Sequence, residues 1–380
     1  MPSKNQGRKS QAPEYQHLGW GVSPYSQKTL AYLKFKRIPH QDRAPNVFEL
    51  MHSIPKRVGK AIMPTVQTPE GEWWQDSSEI IDNFEQRFPQ LSITPHGPKQ
   101  QIAAHLLELH GDEWLVLASL HYRWSRPNSA DFIVNEFARL GVPFLPNFLG
   151  RIAGKHIRNK MKAYLPRFGI IGNARKGLEV FSENLLTQLE THFNQHNYLL
   201  GDRPCIGDFA LFGQLYAHLY RDPGSKPLFD NKPKLVSWIN RMLNPEQTKV
   251  GNFLTNDQVP KTLEPILKTL FAEQFSFSTK VIKHIQTYVD QNPEAKRVSR
   301  ILGQTDFTIG GVTGKRSMFS FVQWKVQRAW KVFKTLTGPE AVEVKQWLQS
   351  INGQALIDLE IRHLIKRQNH HEVLDKKAAQ

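Results

Sequence analysis

The chain has 380 residues, more than one hydrophobic core usually organises, so two domains, or two plus an extension, is the starting expectation. A hydrophobic fraction of 39%, a charged fraction of 22% and a mean hydropathy of -0.48 are those of an ordinary soluble protein, and no apolar run is long enough to span a bilayer. A single cysteine, Cys205, excludes an internal disulfide and a cysteine-rich metal site and fits a reducing, cytoplasmic compartment, while a net charge of +16 would attract any polyanion without choosing among nucleic acid, acidic membrane and small acids.

Residues 1–16 are polar and basic without an apolar centre, which reads as a flexible tail and not a secretory signal. From His17 to Val22 the pattern is a short strand, followed by a Ser23-Pro24-Tyr25-Ser26 turn and a helix from Gln27 to Phe35 with proline in its first turn. Arg37 to His40 leaves that helix, and a second helical segment surrounds Val47 to Met51. Ala61 to Gln67 reads as a buried strand interrupted by Pro64, which is abnormal unless the strand is at an edge or the peptide is cis. A turn at Thr68 to Gly71 leads to a strand at Glu72 to Gln75, and Asp76-Ser77-Ser78-Glu79 opens a helix that ends at Phe88.

Thr94-Pro95-His96-Gly97-Pro98 is the clearest linker. Beyond it the period is helical over Gln101–Trp124, Phe132–Leu140, Arg151–Tyr164, Ala174–Asn194, Gly207–Tyr220 and Pro233–Leu243. A further block from Pro260 has helical stretches at Pro265–Gln274, Thr279–Gln291, Phe321–Leu336 and Pro339–Ser350, with a hairpin around Phe307 to Arg316. The expected division is therefore a tail at 1–16, a first domain at 17–92, a linker at 93–99, a helical domain at 100–255 and a mostly helical extension at 256–380.

Ser23-Pro24-Tyr25-Ser26, Met63-Pro64 before a strand, and Gln75-Asp76-Ser77 together resemble the cytosolic glutathione S-transferases, the first of them looking like the omega- and zeta-type active-site turn. Tyr198 to Asp208 resembles that family's entry into the core helix of its second domain, with Cys205 where Ser or Thr normally caps and Asp208 keeping the reciprocal half of the box. The resemblance implies an α/β thioredoxin-like domain followed by an all-α domain, plus the helical extension, in a homodimeric transferase with a detoxification role. It also implies glutathione as co-substrate, with no metal. Ser23 would stabilise the thiolate, against the plainer reading of an N-cap, with Ser26 one turn on as runner-up. Met63 and Pro64 would present backbone to the cysteinyl unit, and Asp76 and Ser77 would hold the γ-glutamyl end, although a plain cap by Asp76 with Glu79 is compatible with the same residues. Lys60 or Arg57 would meet the glycyl carboxylate.

For the second substrate, a hydrophobic electrophile, Tyr25 and the cluster Trp114, His121, Tyr122 and Trp124 around Arg123 would form a partly aromatic wall, with domain packing as the equal alternative. His110 and His121 are too far apart to suggest a metal pair. Gly310 to Ser317 imitates a phosphate loop with the wrong spacing and reads as a hairpin turn. The segment Arg139 to Lys176 contains no Asp or Glu, and reads as a solvated basic face that steers anionic glutathione. The rival to an enzyme is a non-catalytic protein- or nucleic-acid-interaction module whose effector part is the block from Lys261 on, with 19 Lys or Arg against 11 Asp or Glu.

Overall fold

The computed structural model describes residues 14–375; of the tail expected at 1–16, residues 1–13 lie outside the described residues, while Tyr15 and Gln16 are not tail but the start of a strand. The first unit runs β1 (Tyr15–Leu18), α1 (Pro24–Phe35), β2 (His40–Arg43), α2 (Ile54–Val58), β3 (Thr65–Gln67), β4 (Trp73–Gln75) and α3 (Ser77–Arg87). Its strands form one four-stranded sheet in the order β2-β1-β3-β4, with β1 parallel to β2 and antiparallel to β3, and β3 antiparallel to β4. This is the thioredoxin-like arrangement. Two expectations are corrected. β2 falls where the sequence suggests only departure from a helix, because His40-Gln41-Asp42-Arg43 is polar throughout and earns its place by parallel pairing with β1. The strand expected from Ala61 begins only at Thr65, since Pro64 has no N–H to give to the ladder. The Met63-Pro64 peptide is cis.

A helical unit follows: α4 (Pro98–His110), α5 (Val116–Ser125), α6 (Pro127–Gly141), α7 (Asn147–Lys162), α8 (Ala174–Phe193), α9 (Ile206–Gln214) and α10 (Pro233–Leu243). A π turn over Gly111–Leu115 joins α4 to α5. Gly111 at that junction meets α9, where an added Cβ would lie 2.7 Å from the Ala210 carbonyl carbon, so only glycine permits the approach. α9 starts at Cys205, whose N–H donates to Asp208 Oδ2 at 2.9 Å, and Asp208 also accepts from Leu199 N and Trp238 Nε1. Three donors thus satisfy a carboxylate that burial pushes up to about 6.

The rest of the chain forms α11 (Glu264–Thr269), α12 (Ser276–Gln291), β5 (Ile301–Ile309), β6 (Val312–Phe319), α13 (Phe321–Lys334), α14 (Gly338–Ser350), α15 (Gln354–Ile357), β7 (Ile365–Gln368) and β8 (His371–Leu374). β5 and β6 make a hairpin closed by Gly310-Gly311, both at positive φ, as a two-residue turn requires. The Gly311 N–H donates to the Glu273 carboxylate, the wrong partner for a phosphate loop. β7 and β8 form a second hairpin that the sequence pattern does not announce.

This last block is built into the protein and is no appendage. Its buried side chains belong to one continuous core running from Tyr15 to Leu374. Asp257 caps α4 from outside, accepting from Lys99 N at 2.7 Å and Gln100 N at 2.9 Å, and a Cβ on Gly97 would collide with it at 2.2 Å. α13 lies along α4 and carries Lys325 and Arg328 into the seam between the first unit and the helical unit.

Candidate active site

The sheet register brings the sequence motifs to one place. Leu18, at the end of β1, is opposite Thr65, the first residue of β3, and Thr65 is opposite Gln75, the last residue of β4. The turn after β1, the proline before β3 and the turn after β4 therefore emerge at the same end of the sheet. Ser23, Met63-Pro64 and Asp76-Ser77 stand there together.

Ser23 is the N-cap of α1, extended in backbone, and its Oγ accepts the Ser26 N–H at 3.3 Å. Accepting leaves the hydroxyl hydrogen of Ser23 to be donated elsewhere. No acidic residue occupies the first turn of α1, so the positive end of the helix is not neutralised there. The turn is held from behind: Ser23 N donates to Trp20 O at 2.8 Å, and Trp20 Nε1 donates to Pro45 O at 2.7 Å. Arg123 of α5, fully buried in a two-pronged pair with Asp222 at 2.7 and 2.8 Å, donates its third arm to the Val22 carbonyl at 2.7 Å. Ser26 is buried against Gly19, where a Cβ would approach its Oγ to 2.6 Å.

Asp76 sits at φ 79°, in the left-handed half of φ space that few non-glycine residues enter, and its Oδ1 accepts the Ser78 and Glu79 N–H groups at the start of α3. Ser77 beside it is buried. The capping expected of Asp76 is present, but the Glu79 side chain turns away to Arg367. That arginine, on β7, donates to Glu79 Oε2 at 2.7 Å and to Gln75 Oε1 at 2.8 Å, and so roofs the turn after β4. Lys60 is half-buried next to it; burial first, then the Arg367 charge, lower its ammonium pKa. Arg57 is exposed.

Behind α3 lies a buried ionic cluster. Lys28 Nζ donates to Ser78 Oγ at 2.9 Å, Glu108 Oε1 at 3.1 Å and Asp112 Oδ2 at 2.7 Å. Lys325 Nζ reaches the same three groups, at 3.1 Å to Glu108 and 2.6 Å to Asp112, with Ser78 closer still. Arg328 spans Glu108 Oε2 at 2.8 Å and both oxygens of Asp82 at 2.5 and 2.8 Å. Lys28, Lys325 and Arg328 balance Asp82, Glu108 and Asp112. Burial alone would raise the Glu108 pKa, yet Arg328, Lys325 and Lys28 hold it well below the usual carboxylate range. Glu113 next door has no such partner at hydrogen-bond distance among the described residues, and burial, outweighing the pull of Lys325 and Arg316, pushes its carboxyl up to about 7.

The expected aromatic wall is not assembled at this end of the sheet. Trp114 is enclosed by Phe277, Phe307 and the Arg316 guanidinium, all from the last block, and is 1% exposed. Trp124 packs on Phe137, and Tyr25 spends its hydroxyl on the Asp112 carbonyl at 2.9 Å. His121 pairs with Glu179 at 3.1 Å. Tyr122 lines a separate pocket of about 380 Å³ with Arg126, Glu183 and Lys232. The extension encloses Trp114, whereas His121, Tyr122 and Trp124 are engaged by residues of the helical unit itself. Glu113, Lys325 and Arg367 are the residues of this region that the sequence motifs do not reveal, and Arg123, noted only as the centre of the aromatic cluster, proves to hold the turn at Ser23.

Residues 22–87 match the family model for the glutathione S-transferase N-terminal domain, and residues 179–246 match that for the C-terminal domain. The two matches, in this order, support the glutathione S-transferase family. Solved structures similar to the chain include a glutathione S-transferase from Methylobacterium radiotolerans in complex with glutathione sulfonate, at 15% identity, TM-score 0.39, covering 65% of this chain and 100% of that one. A beta-etherase from Sphingobium sp. shows 19% identity and TM-score 0.41, covering 60% and 94%, and a glutathione transferase from Phanerochaete chrysosporium 15% and 0.41, covering 62% and 99%. No curated protein matches the chain.

Proposed function

We propose that this chain binds glutathione at the end of the sheet where Ser23, Met63-Pro64 and Asp76-Ser77 meet, and activates its thiol for conjugation to, or isomerisation of, a hydrophobic electrophile. The observation that carries this reading is the aligned row Leu18, Thr65, Gln75, which delivers three separate motifs to one face. A free thiol with a pKa near 8.5 is mostly protonated at neutral pH, so the site must favour the anion. The Ser23 hydroxyl, with its hydrogen unspent, can donate to the sulfur, and the unneutralised N-terminus of α1 adds favourable field. Asp76, with one carboxylate oxygen engaged by the helix, keeps the other for an ammonium, while Ser77 and the α3 amides suit a carboxylate. The Met63 backbone would pair with the cysteinyl unit as a strand edge does. Lys60, half-buried, or Arg57, exposed, would meet the glycyl carboxylate.

A cytoplasmic homodimer working on a metabolic or xenobiotic electrophile follows from the same reading. Retention on immobilised glutathione, with conjugation of a generic aryl halide falling more than about tenfold in Ser23→Ala, is the expected result. Failure to bind glutathione at millimolar concentration would overturn it, and retention with no turnover in the unaltered protein would assign the chain to the non-catalytic reading.

A further inference from the structure

Helix α7 is turned inside out. Its buried residues are Gly150 and Gly154, which lie against α6 so closely that a Cβ on Gly154 would sit 2.4 Å from the Val134 carbonyl oxygen and one on Gly150 3.2 Å from the Ala138 Cβ. Contact is made through backbone, as it is where helices pack on small residues. The large apolar side chains are left on the outside: Phe148 is 67% exposed and Ile152 62%, one turn apart on the face opposite the glycines, and Phe144 just before the helix is 65% exposed. An ordinary surface helix would bury these and expose the glycines.

The exposed face is also cationic. Lys155 follows Phe148 and Ile152 on the same side, with Arg151 and Lys162 at its flank, all exposed. No Asp or Glu occurs between Arg139 and Leu178. The nearest acid on the facing helix, Glu136, is taken up by Arg139 at 3.1 Å and Arg221 at 2.6 Å.

We infer that the α6–α7 hairpin is a docking surface for an anionic phospholipid bilayer, inserting Phe144, Phe148 and Ile152 into the headgroup boundary while the surrounding lysines and arginines meet lipid phosphates. Two features select this occupant. A nucleic acid would neutralise the cations but leave three large apolar side chains in water, whereas an acidic bilayer satisfies both. A second copy of this chain would bring the same unrelieved positive charge against itself. No helix among the described residues is long and apolar enough to cross a membrane, so the attachment is peripheral and reversible.

The test is sedimentation of the full chain with unilamellar phosphatidylcholine vesicles containing about a quarter phosphatidylglycerol, against vesicles of phosphatidylcholine alone. Co-sedimentation only with the anionic vesicles is expected. It should weaken about tenfold or more in Phe148→Ser/Ile152→Ser and roughly fivefold in Lys155→Gln. A Phe148→Trp reporter should shift its emission to the blue when anionic vesicles are added. Circular dichroism and glutathione retention of each variant check that the fold survives, and a variant that fails this check is replaced by Phe144→Ser alone. The proposal is overturned by no binding to anionic vesicles, by binding that Phe148→Ser/Ile152→Ser leaves unchanged, by equal binding to neutral vesicles, or by concentration-dependent self-association that the same double variant abolishes.

Discussion

Replacing Lys325 by methionine tests how the last block is joined to the rest of the protein. The side chain is 2% exposed, and its ammonium serves Ser78 on α3, Glu108 on α4 and Asp112 in the π turn that follows α4. Methionine fills a similar volume but leaves Asp82, Glu108 and Asp112 facing only Lys28 and Arg328, one uncompensated negative charge in the interior. Removing one partner of a buried pair costs about 3–5 kcal/mol, and since Lys28 bonds the same carboxylates the lower end of that range is expected. Acid should repair part of the loss. In the variant Glu108 keeps Arg328 and Lys28 but loses Lys325, so its folded-state pKa rises towards the unfolded value and the variant has less stability to lose as pH falls. In the unaltered protein the Glu108 pKa is depressed, so its contribution is present above the unfolded pKa and fades as pH falls through the folded one. The gap between the two proteins should therefore keep its full size above the unfolded glutamate value of about 4.3 and narrow only below it, and Lys325→Met/Asp112→Asn should recover about 2 kcal/mol near neutral pH. Urea unfolding followed by tryptophan emission reads all of this. A loss below about 0.5 kcal/mol that does not vary with pH would refute the claim that Lys325 neutralises the cluster.

Glu113→Gln should act in the opposite sense. Its carboxyl titrates near 7 when folded, so the unaltered protein is favoured by protonation below about 4.5 and loses that advantage as pH rises to 7. The glutamine variant should be more stable by about 2 kcal/mol near pH 8, after allowance for partial exposure, and nearly equal near pH 5; identical pH profiles would exclude it. Arg123→Lys cannot hold Asp222 with two prongs and the Val22 carbonyl with a third arm, so a loss of about 2–4 kcal/mol in unfolding free energy is expected. Because Val22 precedes Ser23, aryl halide conjugation should fall as well while glutathione retention changes less, and wild-type turnover in a demonstrably destabilised Arg123→Lys would separate Arg123 from the active-site turn.

How much of this is readable in the sequence depends on how local the determining contacts are. The Ser23, Pro64 and Asp76 motifs are legible because each is a helix start or strand start written in adjacent residues, and their convergence follows from strand register alone. α10 is read to the residue, since Pro233 opens it and its apolar stripe is unbroken. β2 is missed because four polar residues carry no alternation, and β7–β8 because its turn is Asn369-His370, both at positive φ, without the glycine that would advertise it.

The ionic cluster fails to show for a different reason: Lys325 meets Asp112 across 213 positions of chain, and a lysine in an otherwise amphipathic stretch reads as solvated. A trace was nevertheless present. Val322, Lys325, Val326 and Ala329 form one i, i+3, i+4, i+7 stripe on α13, which puts a lysine in the buried row. Glu108 and Asp112 stand four apart across the end of α4 and the π turn after it, Glu108 among the apolar residues of α4. A charge on the apolar side of a helix must find an opposite charge or neutralise, so a lysine stripe in the last block and a carboxylate pair in the second unit imply each other. The same rule applied to α7 gives the reverse result. There the apolar residues lie among cations in a run without Asp or Glu from Arg139 to Leu178, and no element among the described residues covers them. The first pattern closes within the fold and holds the extension in place; the second stays open at the surface, which is why it points to a partner outside the chain.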